Sequence, residues 1–372
     1  MIIILLICVG LFYLVQNAVY YKCWDKGLSI EMKFEQNAVY EGEIASLREV
    51  ITNAKKLPIP VLEVAFELNR NMIYLNSENT VVTDQSYKRD FYVLYSWQRI
   101  TRTLDFYCKK RGYYEINNAD IRSMSLLMDR KFFRKDKQNS YLYVYPKRIP
   151  TERIDIPFNK IMGNILTKRY IYEDPFQFQG IREYQLSDPM NRINWKASAR
   201  SNDYMVNVYG YTAMVSVCIF VDVEDKMILK YDSLLEESIR IASSLASRLI
   251  RAGIDVELIS NGKDLLSENE IVVEKGNGVN HANIINRNLA RMDLSHEVSS
   301  IVPYIKKHQL EDEDNNKVYV LISKNQNQVL QSIYEIINKQ SEFMWIVPVH
   351  NDMDRMVRSG TGLEVILWEV DR

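Results

Sequence analysis

Residues 2–20 of the chain contain no charged side chain and read IIILLICVGLFYLVQNAVY. Such a run is about long enough to cross a hydrocarbon core, and inside a bilayer it has to be helical because its backbone groups find no water. A secretory signal peptide would carry basic residues before the apolar stretch and small residues at a cleavage site, and neither is evident here. We therefore predict an uncleaved transmembrane anchor over residues 1–21.

The charges that flank this run predict its orientation. Lys22 and Lys26 follow it and nothing basic precedes it. Because positive charge is retained on the cytoplasmic side, we expect a single N-terminal span in the cell membrane, with the bulk of the chain in the cytoplasm.

The 372-residue chain has a formal net charge of −1, so no global field attracts nucleic acid, and we expect no nucleic-acid partner. Its four cysteines form no CxxC or Cys/His spacing, which argues against a disulfide scaffold or a zinc site. No phosphate-binding or dinucleotide-binding glycine motif occurs, and we expect no cofactor. The oligomeric state cannot be predicted from these features.

Residues 28–150 show strand-like alternation with few helical repeats, which predicts an antiparallel β-sandwich-like domain. The predicted strands are Leu28–Phe34, Ile44–Thr52, Val61–Leu68, Phe91–Tyr95, Ile100–Tyr107 and Tyr141–Tyr145. Residues 147–179 contain three prolines and are predicted to be an irregular connection.

Residues 213–372 alternate between apolar strands and amphipathic helices. Ala213–Val221 is a continuous apolar run typical of a central parallel strand, and a helix is predicted over 231–251. Such alternation predicts a doubly wound α/β sheet. The expected fold class is therefore α+β multidomain: an anchor, a β-sandwich-like region and an α/β domain.

A dense polar and aromatic stretch, residues 180–209, lies in the connecting segment 151–212. Asp188 is predicted to cap a short helix, with Pro189 at its first position, where a missing N–H costs nothing. That helix is expected to pass through Trp195 and end near residues 201–203.

Three cations and the indole of Trp195 share one face of this predicted helix. The cations are Arg192, Lys196 and Arg200. In one interpretation the face is structural, with Trp195 packed between two domains and the arginines paired with acids. In the other it is a docking face for an acidic partner, and the two interpretations are compatible.

The same stretch resembles the signature of the bacterial family catalogued as domain of unknown function 58. The matching positions are Arg182, Tyr184, Ser187, Asp188, Pro189, Arg192, Ile193, Trp195, Lys196, Ala197, Ser198, Ala199, Arg200, Met205 and Val206. This chain departs from the family at Ser187, where Gly is common, at Asn194, often Asp, and at Asn207, often basic.

In that family the signature precedes a von Willebrand factor A-like domain. The resemblance therefore implies such a domain over residues 213–372. Members are typically encoded beside MoxR-type AAA+ ATPases, which implies a membrane-anchored, non-enzymatic interaction or scaffold protein. Its partner would be such an ATPase, acting in protein assembly or envelope maturation.

A-type domains build a metal site on Asp-x-Ser-x-Ser after their first strand. The corresponding positions here are Asp222, Glu224 and Lys226, and of the pattern only the aspartate is retained. We expect Lys226 to place its charge where the metal would lie and to pair with Asp222, so no metal is predicted. No catalytic motif accompanies the four late histidines, and we expect no enzyme. The alternative hypothesis is an outward-facing adhesion or binding module with a degenerate metal site.

Overall fold

The computed structural model describes residues 2–75, 80–82, 85–171, 174–186, 188–210, 215–226, 231–310, 317–338, 341–350 and 364–370. The chain divides into two compact units, Met1–Lys147 and Arg148–Arg372, and each is described by itself.

The N-terminal unit begins with helix α1, Ile2–Cys23. Its mean hydropathy of 2.5 and its 22 residues make it long and apolar enough to cross a membrane, and the same properties also suit a signal sequence. Side chains from 2 to 15 are exposed, whereas Gln16, Asn17 and Tyr20 are buried against the rest of the unit.

Ten strands follow in the described part of this unit. They are β1 Leu28–Phe34, β2 Ala38–Tyr40, β3 Ile44–Asn53, β4 Ile59–Asn69, β5 Met72–Tyr74, β6 Thr80–Val82, β7 Gln85–Leu94, β8 Arg99–Cys108, β9 Gly112–Met124 and β10 Lys131–Tyr145.

These strands form two sheets around one hydrophobic core. One sheet has the order β1-β3-β8-β5 and the other the order β2-β10-β9-β4-β7-β6. All pairings are antiparallel except that of β10 with β2. Because β1 alternates strictly between buried and exposed side chains, each strand gives one face to the core. The β-sandwich-like prediction is confirmed.

The C-terminal unit begins with helix α2, Thr151–Ile171, in the segment predicted to be irregular. That prediction is wrong because apolar side chains at helical spacing outweigh the proline at position 157, which the helix contains. Ile154, Phe158 and Ile161 lie on one side of α2 and are buried in the core of the unit.

The remaining elements of this unit alternate strand and helix after a short irregular part. They are β11 Asp174–Glu183, a 3-10 turn Met190–Arg192, α3 Trp195–Ser201, β12 Met205–Gly210, β13 Ser216–Val221, α4 Asp232–Arg251, β14 Asp255–Asp264, β15 Glu270–Gly276, α5 Gly278–Arg291, β16 Met292–Asp293, α6 Val302–Leu310, β17 Lys317–Ile322, α7 Gln328–Asn338, β18 Phe343–Val349 and β19 Glu364–Glu369.

The main sheet has the order β15-β14-β13-β17-β18-β19, and β16 also pairs with β14. Neighbouring strands in the series β14-β13-β17-β18-β19 are parallel. Strands β15 and β16 both run antiparallel to β14. Strand β13 is buried throughout: Val217 and Ile219 contribute to a core shared with α2, α4 and α5. Cys218 and Phe220 contribute to a second core shared with α6 and α7. Helices therefore cover both faces, which confirms the predicted mixed α/β alternation.

Candidate functional site

Residues 180–209 form a small element of their own, which we call the signature element. Strand β11 pairs antiparallel with β12, and the 3-10 turn and α3 connect them. The prediction of a single helix from Pro189 to residues 201–203 is correct at its end but wrong in its continuity, because the chain is extended at Ile193, with φ −65° and ψ 124°. Ile193 forms a β-bridge with Val206 there, and the helix restarts at Trp195.

Asp188 does not cap α3, so that prediction is also wrong. Its carboxylate instead accepts two hydrogen bonds from the Arg182 guanidinium, both 2.6 Å, and one from the Gln185 N–H, 2.9 Å. The Arg182 hydrogen bond, followed by that from Gln185, lowers the pKa of Asp188 to about 2. Pro189 lies just before the 3-10 turn, in an extended conformation.

The residue that caps α3 is Asn194, whose side-chain oxygen accepts from the Ala197 N–H at 3.0 Å. Its amide nitrogen donates to Asn207 Oδ1 at 2.7 Å. Asn194 and Asn207 are two of the three positions at which the chain departs from the family signature. These two departures from the resembled signature therefore contact each other through a neutral amide hydrogen bond.

Two of the three predicted cations share a surface. Lys196 and Arg200 are exposed one turn apart on α3, beside a shallow depression that Ile181 and Ala197 also line. Arg192 lies instead on the preceding 3-10 turn and is half-buried. Lys196 and Arg200 are thus neighbours on the same helix, whereas Arg192 lies outside it.

Trp195 is 65% exposed, so the expectation that it packs as a buried anchor is wrong. Its indole meets the edge of Tyr204 at 6.3 Å between ring centroids, and Tyr204 in turn meets Tyr184 at 6.2 Å. The buried apolar side chains of the signature element are instead Ile193 and Val206, which are 7% and 1% exposed. Trp195 belongs to a surface of aromatic rings.

Sequence reasoning missed how much apolar surface this element exposes. We call this set the signature surface: Leu186, Met190, Trp195, Lys196, Arg200 and Tyr204. Leu186 is 98% exposed and Met190 is 72% exposed. No periodicity argument finds such residues, because they lie in turns and at helix ends rather than on a regular face.

A second cluster of polar residues lies at the carboxyl ends of the parallel strands in the main sheet, just after β13 and β17. Asp222 is fully buried, and its Oδ1 accepts from Asn261 Nδ2 at 2.8 Å and from the Glu224 N–H at 3.1 Å. Its Oδ2 accepts from Ser323 Oγ at 2.6 Å and from Asn325 Nδ2 at 2.9 Å. Four donors thus satisfy this carboxylate, which leaves little capacity for a cation.

Lys226 pairs with Glu224 at 2.5 Å, so its predicted pairing with Asp222 is wrong. The next acid, Asp225, pairs with Lys324 at 2.7 Å, and both side chains are buried. These acids line a cavity of about 280 Å³ that also includes His296. Within the described ranges, no three His, Cys, Asp or Glu side chains converge as metal ligands. The residues do not fit a divalent cation.

Both clusters lie in a segment with a recognisable relative. Residues 180–349 match the family model described as Protein of unknown function DUF58. This match supports the resemblance seen in the signature. It covers the signature surface and Asp222 together, and it leaves the N-terminal unit outside.

Other comparisons concern the fold alone. No curated protein matches the chain. The CARDB domain of a Pyrococcus furiosus protein, solved with di-metal ions, is similar at 16% identity and a TM-score of 0.21, covering 31% of this chain and 93% of that one. A non-cellulosomal cohesin from Archaeoglobus fulgidus is similar at 10% identity and a TM-score of 0.22, and the match covers 31% of this chain and 91% of the cohesin chain.

The N-terminal unit contains a buried charge cluster that sequence reasoning also missed. Asp90 lies 3.0 Å from Arg102 and 3.8 Å from Lys88, which is 1% exposed. Glu49 accepts from the Tyr92 hydroxyl at 2.6 Å, and burial raises the pKa of this glutamate. The sequence contained a signal for this cluster, because Lys88 and Asp90 are alternate residues and therefore share the inward face of β7.

Proposed function

We propose that this chain is a membrane-anchored, non-enzymatic interaction protein, and that its signature surface binds a partner protein. We propose further that the partner is a MoxR-type AAA+ ATPase and that the pair acts in protein assembly or envelope maturation. The family match over residues 180–349 and the resemblance of the signature support this choice of partner.

The observation that carries the proposal is the exposure of large side chains on a small element. Leu186 is 98% exposed and Trp195 is 65% exposed, although both are costly to leave in water. Aromatic and arginine side chains of this kind are the anchors that dominate protein interfaces. A partner that buries Trp195 together with Tyr204 removes that apolar surface from water.

Charge indicates what kind of surface the partner presents. Lys196 and Arg200 are exposed on α3, on a chain whose formal net charge is only −1. A local cationic site on a nearly neutral molecule steers acidic surfaces toward that site. We therefore expect the partner to contribute aspartate or glutamate side chains opposite α3.

The strand ends support a non-enzymatic role. Ligands of doubly wound sheets bind beyond the carboxyl ends of the strands, where the strand order reverses. Here Asp222 lies at that place, next to Ser323 of the neighbouring strand end, and is bound by protein donors. We propose that residues 213–372 are an A-type domain in which the metal position has become a structural polar centre.

Affinity capture tests the partner. The tagged full-length chain is solubilised in detergent from its own membranes, and the bound proteins are identified by mass spectrometry. Lys196→Glu/Arg200→Glu reverses two charges on the signature surface. Lys160→Glu/Lys306→Glu reverses two exposed lysines on other helices of the same unit and serves as the matched control.

The expected result is recovery of an AAA+ ATPase with the wild-type chain and with the control, and its loss with Lys196→Glu/Arg200→Glu. Equal recovery from all three chains would remove the signature surface from the interface. Recovery of no ATPase from any of them would contradict the proposed partner.

A further inference from the structure

Three turns of the N-terminal unit lie at the end of the sandwich where α1 meets it, as the strand register requires. We call this the proximal end and define it by residues 54–58, 95–98 and 125–130. Several of its side chains are large, apolar and exposed. Such residues at one end of a domain need a physical reason.

The turn between β9 and β10 has the most apolar tip. Leu126, Leu127 and Met128 are 42%, 53% and 59% exposed. The Met128 N–H donates to the Ser125 carbonyl at 2.9 Å, and the Ser125 N–H donates to the Arg130 carbonyl at 3.0 Å. The tip is therefore a hydrogen-bonded turn that holds three apolar side chains outward.

Two side chains of helix α1, one helical turn apart, contact this same turn. Tyr13 Oη donates to Asp129 Oδ2 at 2.5 Å, and Asn17 Nδ2 donates to the same oxygen at 3.1 Å. Gln16 and Asn17 are buried although they belong to an otherwise apolar helix. The Asp129 carboxylate thus accepts from two polar side chains of α1, and polar groups at membrane depth need such partners.

Helix length then gives the depth of the turn. Lys22 is the first charged residue after the uncharged run, and at about 1.5 Å per residue it lies about 14 Å beyond Tyr13 and about 8 Å beyond Asn17 along α1. With the Lys22 ammonium at the headgroup level of a bilayer that α1 crosses, Tyr13 and Asn17 lie at the depth of the hydrocarbon core. The turn that contacts them has to enter it too.

The turn between β7 and β8 has the composition of a membrane-interface anchor. The side chains of Tyr95 and Trp97 are 68% and 65% exposed. The backbone N–H of Trp97 donates to the Lys55 carbonyl at 3.2 Å, which connects this turn to the turn 54–58. Aromatic rings favour the lipid headgroup level, and neighbouring lysines such as Lys56 can extend toward headgroup phosphates.

From these contacts we propose that the proximal end of the sandwich is a lipid-binding face. Leu126, Leu127 and Met128 insert into the bilayer beside α1, and Tyr95 and Trp97 lie at the interface. This inference rests on the proposed membrane location, and it assigns the N-terminal unit a role that the anchor alone does not have.

The test places an environment-sensitive fluorophore on the full-length chain. In a Cys8→Ser/Cys23→Ser background, Leu127→Cys is labelled and the chain is reconstituted in phosphatidylethanolamine/phosphatidylglycerol vesicles. Arg70→Cys is the matched control, because Arg70 lies in an exposed turn at the opposite end of the same strands. The buried Cys108 and Cys218 remain in both chains.

The expected result is a blue-shifted emission at position 127 that lipids carrying quenching groups on their acyl chains largely abolish, with no quenching at position 70. If the chain floats with the vesicles but the probe at 127 behaves as the probe at 70, the lipid-binding face is wrong and the membrane anchor stands. A blue shift without lipid quenching would show a second protein on the turn and would overturn the proposal. If the chain does not float with the vesicles, the proposal and the membrane location both fail.

Discussion

At the scale of single residues, Trp195 shows how exposure decides between structure and binding. Its indole packs edge-on against the ring of Tyr204, and most of its surface remains exposed to water. Truncation to alanine should therefore change the free energy of unfolding by less than about 0.5 kcal/mol, as for most surface positions. It should weaken partner binding about thirtyfold, the loss typical of an interface hot spot.

Thermal denaturation and a titration with the purified ATPase measure these two effects on Trp195→Ala. A drop in melting temperature with unchanged affinity would return Trp195 to the role of a structural anchor.

The cap at Asn194 gives a prediction about local stability. Asn194→Ala removes the acceptor of the Ala197 N–H and the amide hydrogen bond from Asn194 to Asn207. A lost cap costs about 1 kcal/mol, so amides of α3 should exchange hydrogen about fivefold faster. Hydrogen–deuterium exchange on peptides from residues 194–203 measures this. Asn194→Asp is the control, because it retains the cap and should leave the exchange rate nearly unchanged.

Glu49 gives a prediction about pH. Because burial raises its folded-state pKa, the folded chain holds this proton more tightly than the unfolded chain does. The free energy of unfolding should therefore fall as pH rises from the ordinary value of about 4.3 through the raised pKa. Glu49→Gln lacks that loss, so its melting temperature should rise relative to that of the wild type as the pH increases above about 4.3. Parallel melting curves across this range would show that Glu49 is not protonated on folding.

At the scale of elements, the polar centre at the strand ends connects three neighbouring strands. Asp222→Ala removes the acceptor of four donors, and buried unsatisfied groups cost about 1–3 kcal/mol each. Asn261 and Asn325 keep a second acceptor each, the carbonyls of Ser299 and Glu224, whereas the Ser323 hydroxyl and the Glu224 N–H lose the acceptor that Asp222 provides. We expect this variant to be destabilised by at least about 3 kcal/mol in urea denaturation. Mg²⁺ or Mn²⁺ should leave the melting temperature of the wild type unchanged, and a rise on adding either ion would contradict the structural role of Asp222.

Elements with a regular pattern could be predicted from the sequence. The bounds of β1 agree with the predicted ones residue for residue, and those of α4 agree within one residue, because strict alternation and helical periodicity are local signals. Helix α2 could not be predicted, because burial of one face outweighs its internal proline.

The candidate site was predictable only in composition. The sequence indicated that Lys196, Arg200 and Trp195 act together, and their exposure needed the structure. The break at Ile193 depends on a bridge to Val206, thirteen positions further on, which no local pattern contains. For the same reason Asp188 appeared to be a cap, when its partner is Arg182 on the preceding strand.

At the scale of the whole molecule, topology separates the proposed function from its alternative. Helix α1 suits a signal sequence as well as a span, and an outward-facing adhesion module would need the opposite orientation. We expect protease added to intact cells to leave the chain uncut, and protease added to opened cells to digest it. Cleavage in intact cells would exclude a cytoplasmic ATPase as partner.

In the proposed function, the signature surface binds the ATPase while the chain is in the membrane. Photo-crosslinking in intact cells tests this most directly, with a photoreactive amino acid at Leu186, which is 98% exposed, and at Lys160 as control. We predict a crosslink to an AAA+ ATPase from position 186, none from position 160, and loss of the first in Lys196→Glu/Arg200→Glu. The absence of the ATPase among the products from position 186, or equal crosslinking from both positions, would contradict the account.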